Sequence, residues 1–221
     1  MRPRAVPGAF YWVCLVPLRG MYRWSGIMHE ILWHGRGGQG VVLASEVLAE
    51  AAYLQGYRGV TSAPTFGPER RGAPLTASTR IDDEPIRTFS QIALADIVIV
   101  LDELLFGSVD IGAGLRNGGI LIVNSARPPE NFRLPDKPAA RTASVDAAAI
   151  AREFRLTVGG APVVNTPLLG SLARLWDRIS LAGIERGLAF KMPPASAYNN
   201  YQAVRRAFEM TVVGDTRHEQ T

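Results

Sequence analysis

The feature that most constrains this chain lies at residues 30–40, Glu-Ile-Leu-Trp-His-Gly-Arg-Gly-Gly-Gln-Gly. Ile31, Leu32 and Trp33 read as a short buried strand, and Gly35, Gly37 and Gly40 follow at the spacing G-x-G-x-x-G. Glycine suits such a turn because a side chain would hold the backbone away from an anionic group, and because tight turns often need positive φ. From Val41 the pattern becomes helical: Val41, Ala44, Val47 or Leu48, Ala51 and Leu54 recur at three- and four-residue intervals. Gly56 stands where the residue after a helix C-terminus is expected. A strand, a glycine turn and a helix N-terminus aim backbone amides and the positive end of the helix dipole at one spot, which suits phosphate. A tight strand–helix turn packed for its own sake gives the same spacing.

A nicotinamide dinucleotide reading needs an acidic residue about 20 positions beyond the glycines, at the end of the second strand, to hold the ribose hydroxyls. That strand is expected near Tyr57–Thr61 and runs into Thr61-Ser62-Ala63-Pro64, with no carboxylate. Glu50 falls inside the helix, and Asp82 and Asp83 come too late. Arg58, at the start of the strand, is poorly placed for a 2′-phosphate.

A second loop, Pro64-Thr-Phe-Gly-Pro-Glu-Arg-Arg-Gly-Ala-Pro74, is shaped by three prolines and two glycines. It carries Arg70 and Arg71, whose planar forks of donors match phosphate or carboxylate oxygens. A solvated turn with idle arginines is the plainer alternative.

Gly-Arg-Gly-Gly-Gln-Gly-Val-Val (35–42), Phe-Gly-Pro-Glu-Arg-Arg-Gly-Ala-Pro (66–74), Arg80-Ile81, Pro85-Ile86, Asp96–Asp102 and Asn165-Thr-Pro-Leu-Leu-Gly170 together resemble the gamma subunit of pyruvate (2-oxoacid):ferredoxin oxidoreductases. The likeness spans about residues 28–208, and the 66–72 run is closer to the pyruvate-type branch than to the 2-oxoglutarate or indolepyruvate branches. The resemblance implies an α/β, Rossmann-like three-layer sandwich with a mostly parallel, partly mixed sheet. It implies a non-catalytic but required subunit of a thiamine diphosphate-dependent complex that converts a 2-oxo acid and coenzyme A to acyl-CoA and carbon dioxide while reducing ferredoxin. Thiamine diphosphate, magnesium and 4Fe–4S clusters are then expected in the alpha, beta and delta partner subunits, none of them held by this chain alone. Carried onto this sequence, Gly35, Arg36, Gly37, Gly38, Gln39 and Gly40 become candidates for the phosphates of coenzyme A as co-substrate, with Arg70 and Arg71 as helpers; no catalytic residue is implied here. A free-standing nucleotide-binding dehydrogenase and a non-enzymatic assembly module are the alternatives.

Cysteine usage agrees, since a four-iron cluster is typically held by four thiolates and the chain has Cys14 alone. His29, His34 and His218 lack metal-ligand spacing; His34, beside the glycine turn, reads as a strand-end residue that packs or meets solvent. The chain carries 24 basic and 20 acidic residues, a net +4. Residues 1–27 hold Arg2, Arg4, Arg19 and Arg23 and no acid, so the remainder is neutral and lacks the basic stripe of a nucleic-acid footprint.

Residues 1–27 form an N-terminal extension, disordered or the product of a misplaced start, with translation expected to begin at Met28. Its apolar run Ala9–Leu18 is too short to span a bilayer, and a cytoplasmic location with no membrane partner is expected. Residues 28–213 read as one domain and 214–221 as a polar tail. Strands are expected at Ile31–His34, Tyr57–Thr61, Leu75–Ile81, Ile97–Leu101, Ile120–Val123 and around Arg141–Val145. The continuously apolar Ile97–Leu101 run suits a central parallel strand covered on both faces, whereas Leu75–Ile81 alternates like a hairpin strand. Asp102-Glu103 at the strand end either lines a ligand crevice or caps the next helix. Helices are expected at Asp146–Phe154, Thr166–Ile179 and Ala195–Met210, with Gly170 and Ala173 suited to close helix packing. Proline-rich Ala126–Pro138 reads as a surface excursion.

Overall fold

Strand β1 (His29–Arg36) is the third of seven strands in the main sheet of a computed structural model that describes residues 28–65 and 72–214. The N-terminal extension 1–27, Cys14 included, lies outside the described residues, as do Arg70, Arg71, His218 and all of the polar tail except Gly214. After β1 come α1 (Val41–Gln55), β2 (Gly59–Thr65), β3 (Pro74–Asp82), β4 (Ala95–Val100), β5 (Leu115–Asn124) and β6 (Arg141–Val145). Then follow α2 (Ala147–Glu153), a two-stranded ribbon of β7 (Thr157–Val158) and β8 (Ala161–Pro162), α3 (Pro167–Leu175), α4 (Leu181–Lys191), α5 (Pro194–Met210) and β9 (Val212–Val213).

The sheet order is β2-β3-β1-β4-β5-β6-β9. Strands β1, β4, β5 and β6 pair in parallel, while β3 runs antiparallel to both β1 and β2, and β9 antiparallel to β6. The α/β class and the mostly parallel, partly mixed sheet expected from the resemblance are thus observed. The hairpin character of residues 75–81 is explained by β3, which inserts between β1 and β2.

Alternation along β4 sorts its apolar run onto two cores. Ile97 and Ile99 pack with Ile31, Trp33 and the buried faces of all five α-helices. Val98 and Val100 pack on the other side with Leu105, Ile111 and Phe132. The layer on that second side consists of short 3-10 turns at Glu103–Gly107, Gly112–Gly114 and Pro129–Phe132. The proline-rich segment is therefore more than a surface excursion, because Phe132 is buried in the core.

A chain of buried polar groups ties α1 to the sheet. The Trp33 indole N–H donates to Thr79 Oγ1 (3.1 Å), and the Thr79 hydroxyl donates to the Ser45 carbonyl (3.4 Å). Ser45 Oγ donates to the Val42 carbonyl, so in its 2.9 Å contact with Ser62 Oγ the latter is the donor. Satisfying these groups removes the penalty that their burial would otherwise carry.

Two expectations shift. The second strand starts at Gly59, because Tyr57 leaves the sheet line and its hydroxyl donates to the Arg178 carbonyl. The helix expected over 166–179 ends at Leu175, and a separate α4 begins after Ser180, whose hydroxyl accepts from the Gly183 N–H. Helix α3 meets α5 backbone to backbone at Gly170, where an added Cβ would lie 2.0 Å from the Val204 carbonyl oxygen.

At the amino end of β1, Glu30 accepts from the Arg80 guanidinium (3.0 Å) and from Arg116 (2.9 Å), and Arg116 also reaches Asp96 (2.7 Å). Side chains of Arg80 and Glu30 are 5% and 11% exposed, so removing one partner strands a buried charge. Arg80→Leu is expected to lower unfolding free energy by about 3 kcal/mol, the lower end for a broken buried pair because Arg116 still faces Glu30. Urea denaturation of the full chain measures this; a loss below about 1 kcal/mol would place the pair among weak surface bridges.

At the other end of β1, His34 is 7% exposed and its Nε2 is buried without a hydrogen-bond partner among the described residues. Burial pushes its pKa down from the ordinary 6.5 to about 4. The unfolded chain then binds the proton more readily, so stability is intact above pH 6.5 and is lost as pH falls toward 4. Between pH 7 and 5 His34 is expected to cost the wild-type protein about 2 kcal/mol, a share of the acid destabilisation that His34→Gln removes. Equal pH slopes for the two proteins in denaturant titrations would contradict this.

Candidate functional site

The connection after β1 departs to one face of the sheet, into α1, while the connection after neighbouring β4 departs to the other, into the 3-10 turn Glu103–Gly107. Adjacent parallel strands whose connections diverge leave a crevice at their carboxyl ends, the usual place for a ligand in open α/β sheets. The glycine turn lies in that crevice.

Each glycine has its own local reason. An added Cβ at Gly35, still within β1, would lie 2.4 Å from Val41 Cγ2 and 3.3 Å from Leu101 Cβ, so Gly35 lets α1 start close against the strand. Gly38 and Gly40 have φ of 95° and 77°, a region that costs other L-residues roughly 1–2 kcal/mol. A Cβ at Gly40 would also strike Asn165 Nδ2 at 2.3 Å. That amide donates to the Gly40 carbonyl (3.0 Å), fastening the turn to the segment preceding α3, while Asn165 Oδ1 is buried with no partner among the described residues.

Gln39 closes the turn on itself. Its backbone N–H donates to the Arg36 carbonyl (3.0 Å), and its Oε1 accepts from the Arg36 N–H (2.7 Å). At the N-terminus of α1 no side chain among the described residues accepts from the first-turn amides. The helix therefore keeps the unspent donors and positive dipole end that an anion would use.

The end of the second loop, residues 72–74, is brought directly alongside. The β1–β3 ladder ends with Arg36 opposite Pro74, and backbone bonds continue it: Gly37 N–H to the Ala73 carbonyl (2.9 Å) and Gly72 N–H to the Gly37 carbonyl (3.1 Å). Arg70 and Arg71 lie outside the described residues, one and two positions before Gly72.

Arg36 crosses the crevice. Its Nε donates to Asp102 Oδ2 at 2.6 Å, and Nη1 donates to the Gly72 carbonyl at 3.2 Å. Asp102 Oδ1 at the same time accepts from the Leu104 N–H and caps the 3-10 turn after β4. Both readings of Asp102 thus describe one side chain, a cap that also lines the crevice. With Arg36 largely neutralised by Asp102, further positive charge for an anion must come from the α1 amides or from elsewhere. No local pattern signals the Arg36–Asp102 or Asn165–Gly40 contacts, which join residues 66 and 125 positions apart.

The topology also weakens a dinucleotide arrangement. In that fold the second strand adjoins the first and presents its carboxylate to the ribose; here β3 separates β2 from β1. Among the described residues, no group of three or more His, Cys, Asp or Glu is placed to hold a metal ion. Nor is any helix of these residues long and apolar enough to cross a membrane.

Comparisons with known proteins agree with this architecture. The family model described as pyruvate ferredoxin/flavodoxin oxidoreductase matches residues 30–210. The pyruvate/ketoisovalerate oxidoreductases common subunit gamma of Thermococcus litoralis is 46% identical over 188 residues, covering 84% of this chain and 98% of that protein. Pyruvate synthase subunit PorC of Methanosarcina barkeri is 44% identical over 161 residues, covering 73% and 85% respectively. Among solved structures, the crystal structure of pyruvate oxidoreductase subunit PORC from Thermotoga maritima superposes with a TM-score of 0.71 at 36% identity, covering 85% of this chain and 99% of that one. A match across residues 30–210, together with relatives so similar over nearly their whole length, shows that the chain belongs to the pyruvate ferredoxin/flavodoxin oxidoreductase family, among its gamma-type subunits.

Proposed function

We propose that this chain is the subunit that receives coenzyme A in a thiamine diphosphate-dependent 2-oxoacid:ferredoxin oxidoreductase, and that the glycine turn from Gly35 to Gly40 is where the coenzyme's phosphates bind. The observation that carries the reading is the first turn of α1, left without a side-chain cap directly behind that turn, at the crevice where the connections of β1 and β4 diverge. Backbone amides and a helix dipole at such a point favour a phosphate. In this reading Arg36 is a positioning residue: held by Asp102 and the Gly72 carbonyl, it keeps the two loops in register. Arg70 and Arg71, next to Gly72 in sequence, supply the countercharge that Arg36 does not.

The complete reaction is the oxidative decarboxylation of a 2-oxo acid, pyruvate being the first candidate. The acyl group passes to the thiol sulfur of coenzyme A, carbon dioxide leaves, an electron pair goes to ferredoxin and the thiol proton is released. Thiamine diphosphate, magnesium and the 4Fe–4S clusters belong in this reading to the alpha, beta and delta subunits, and ferredoxin meets the complex there. The part played by the gamma chain is to bind and orient one substrate, which accounts for a site with anion-binding features.

In the assembled complex, Gly38→Val and the double variant Arg70→Gln/Arg71→Gln are each expected to raise the KM for coenzyme A on the order of tenfold, as loss of one or two charge-assisted hydrogen bonds would. The KM for the 2-oxo acid should stay within about twofold, because uniform binding of the other substrate is untouched. Steady-state dye reduction at varied coenzyme and 2-oxo acid measures both. An unchanged coenzyme KM in both variants would assign the two loops to assembly alone.

A further inference from the structure

The run Asn165-Thr-Pro-Leu-Leu-Gly170 is buried throughout, and its first residue reaches the glycine turn from 125 positions away. The residues that follow fix Asn165 in place. Pro167 opens α3, and Gly170 lets that helix lie against α5. Thr166 Oγ1 donates to Asn200 Oδ1 of α5 (2.5 Å), whose Nδ2 donates in turn to the Ser196 carbonyl (2.9 Å). Asn165 is thus presented to the turn from a base that is packed and hydrogen-bonded on α5.

Two donors converge on the Gly40 carbonyl: the Ala44 N–H of α1 (3.0 Å) and Asn165 Nδ2 (3.0 Å). The reverse orientation of the Asn165 amide would set its oxygen against the Gly40 oxygen, so the nitrogen faces the turn. A trans peptide is planar, and a carbonyl held on one side fixes the N–H on the other, here that of Val41, the first residue of α1. This N–H is one of the first-turn donors that no side chain among the described residues caps. Gly40 needs such a hold, because at φ 77° and ψ 27°, with no Cβ, its torsions are soft. Stability does not account for the contact. Asn165 is 2% exposed and its Oδ1 has no partner among the described residues, so a second bond to an already bonded carbonyl is set against an orphaned acceptor.

We infer, resting on the coenzyme A reading above, that Asn165 is a positioning residue for the anion site: through the Gly40 carbonyl it sets the direction of the Val41 N–H and so readies the α1 N-terminus for a phosphate. Asn165 acts through the turn and does not itself meet the ligand. Donors fixed before the ligand arrives bind it more tightly than donors that must be ordered on binding. A glycine turn lets an anion approach the backbone closely but gives up the restraint that side chains provide. Gln39 restores that restraint at the Arg36 end of the turn, and Asn165 restores it at the Gly40 end.

The test uses the assembled oxidoreductase for kinetics and the full chain for thermal melting, each carrying Asn165→Val or Asn165→Ala. Neither side chain can donate to Gly40; valine refills most of the space, whereas alanine leaves it open. The probes are coenzyme A as substrate and ADP, which carries a pyrophosphate, as inhibitor. Both variants should raise the coenzyme KM and the ADP inhibition constant by about tenfold. The loss should fall on binding, with kcat at saturating coenzyme and the 2-oxo acid KM within about twofold of wild type. Asn165→Val should melt within about 4 °C of wild type, since it removes the orphaned acceptor along with the donor. A coenzyme KM and ADP constant unmoved in both variants, with Gly38→Val still raising the coenzyme KM, would overturn the positioning role and leave the phosphate site standing. A rise that merely tracks the fall in melting temperature, present in Asn165→Ala and absent in Asn165→Val, would also overturn it and make Asn165 a packing residue. Absence of ADP inhibition, with Gly38→Val silent as well, would overturn the phosphate site and the positioning role together.

Discussion

The antiparallel pairing of β1 with β3 is the constraint on which the rest of this structure depends. It runs unbroken from His29 opposite Ile81 to Arg36 opposite Pro74 and continues through Gly37, Gly72 and Ala73. Because strand side chains alternate with period two, this register assigns every residue of both strands to a face. It sends Ile31 and Trp33 beneath α1 and sets His34 beside Thr76 on the opposite face. It also zips Gly72 and Ala73, at the end of the proline-framed loop, onto the glycine turn at Gly37. A slip of one residue would expose Trp33 and dissolve the site.

Charge is distributed along β1 in the same orderly way. At its amino end, away from the crevice, Glu30, Arg80, Arg116 and Asp96 satisfy one another and serve to hold the sheet. At its carboxyl end Arg36 is matched by Asp102 across the gap between β1 and β4. The Arg36 guanidinium is thereby turned into a brace, and in the proposed reading anion affinity is left to the α1 amides and to Arg70 and Arg71.

What the sequence disclosed followed from local chemistry. The glycine turn, the Gly56 helix stop, the doubly buried run in β4, the hairpin character of β3 and the last helix all depend on residues within a few positions of one another. What it hid depends on distant partners. Helix α4 escaped notice because Gly183 and Gly187 dilute its helical pattern, yet Gly187 is required where a Cβ would sit 2.8 Å from the Val47 carbonyl oxygen of α1. Phe132 is one aromatic in a polar, proline-rich stretch, and only the three-dimensional fold shows it as a core residue. The same holds for Asn165, whose amide fastens the glycine turn from the far end of the chain. Resemblance to a family nominated the residues of the glycine turn; the contacts show how that turn is held.

The central claim is that the glycine turn of this chain, and not only its larger partners, carries the anionic end of coenzyme A. Hydrogen–deuterium exchange of the intact complex, with and without coenzyme A, tests it most directly. The account predicts that bound coenzyme slows exchange of the amides from Gly37 to Leu43 and of the loop ending at Pro74, while the amino-terminal end of β1 is unaffected. Protection confined to other subunits, with 37–43 exchanging at the same rate in both states, would contradict it.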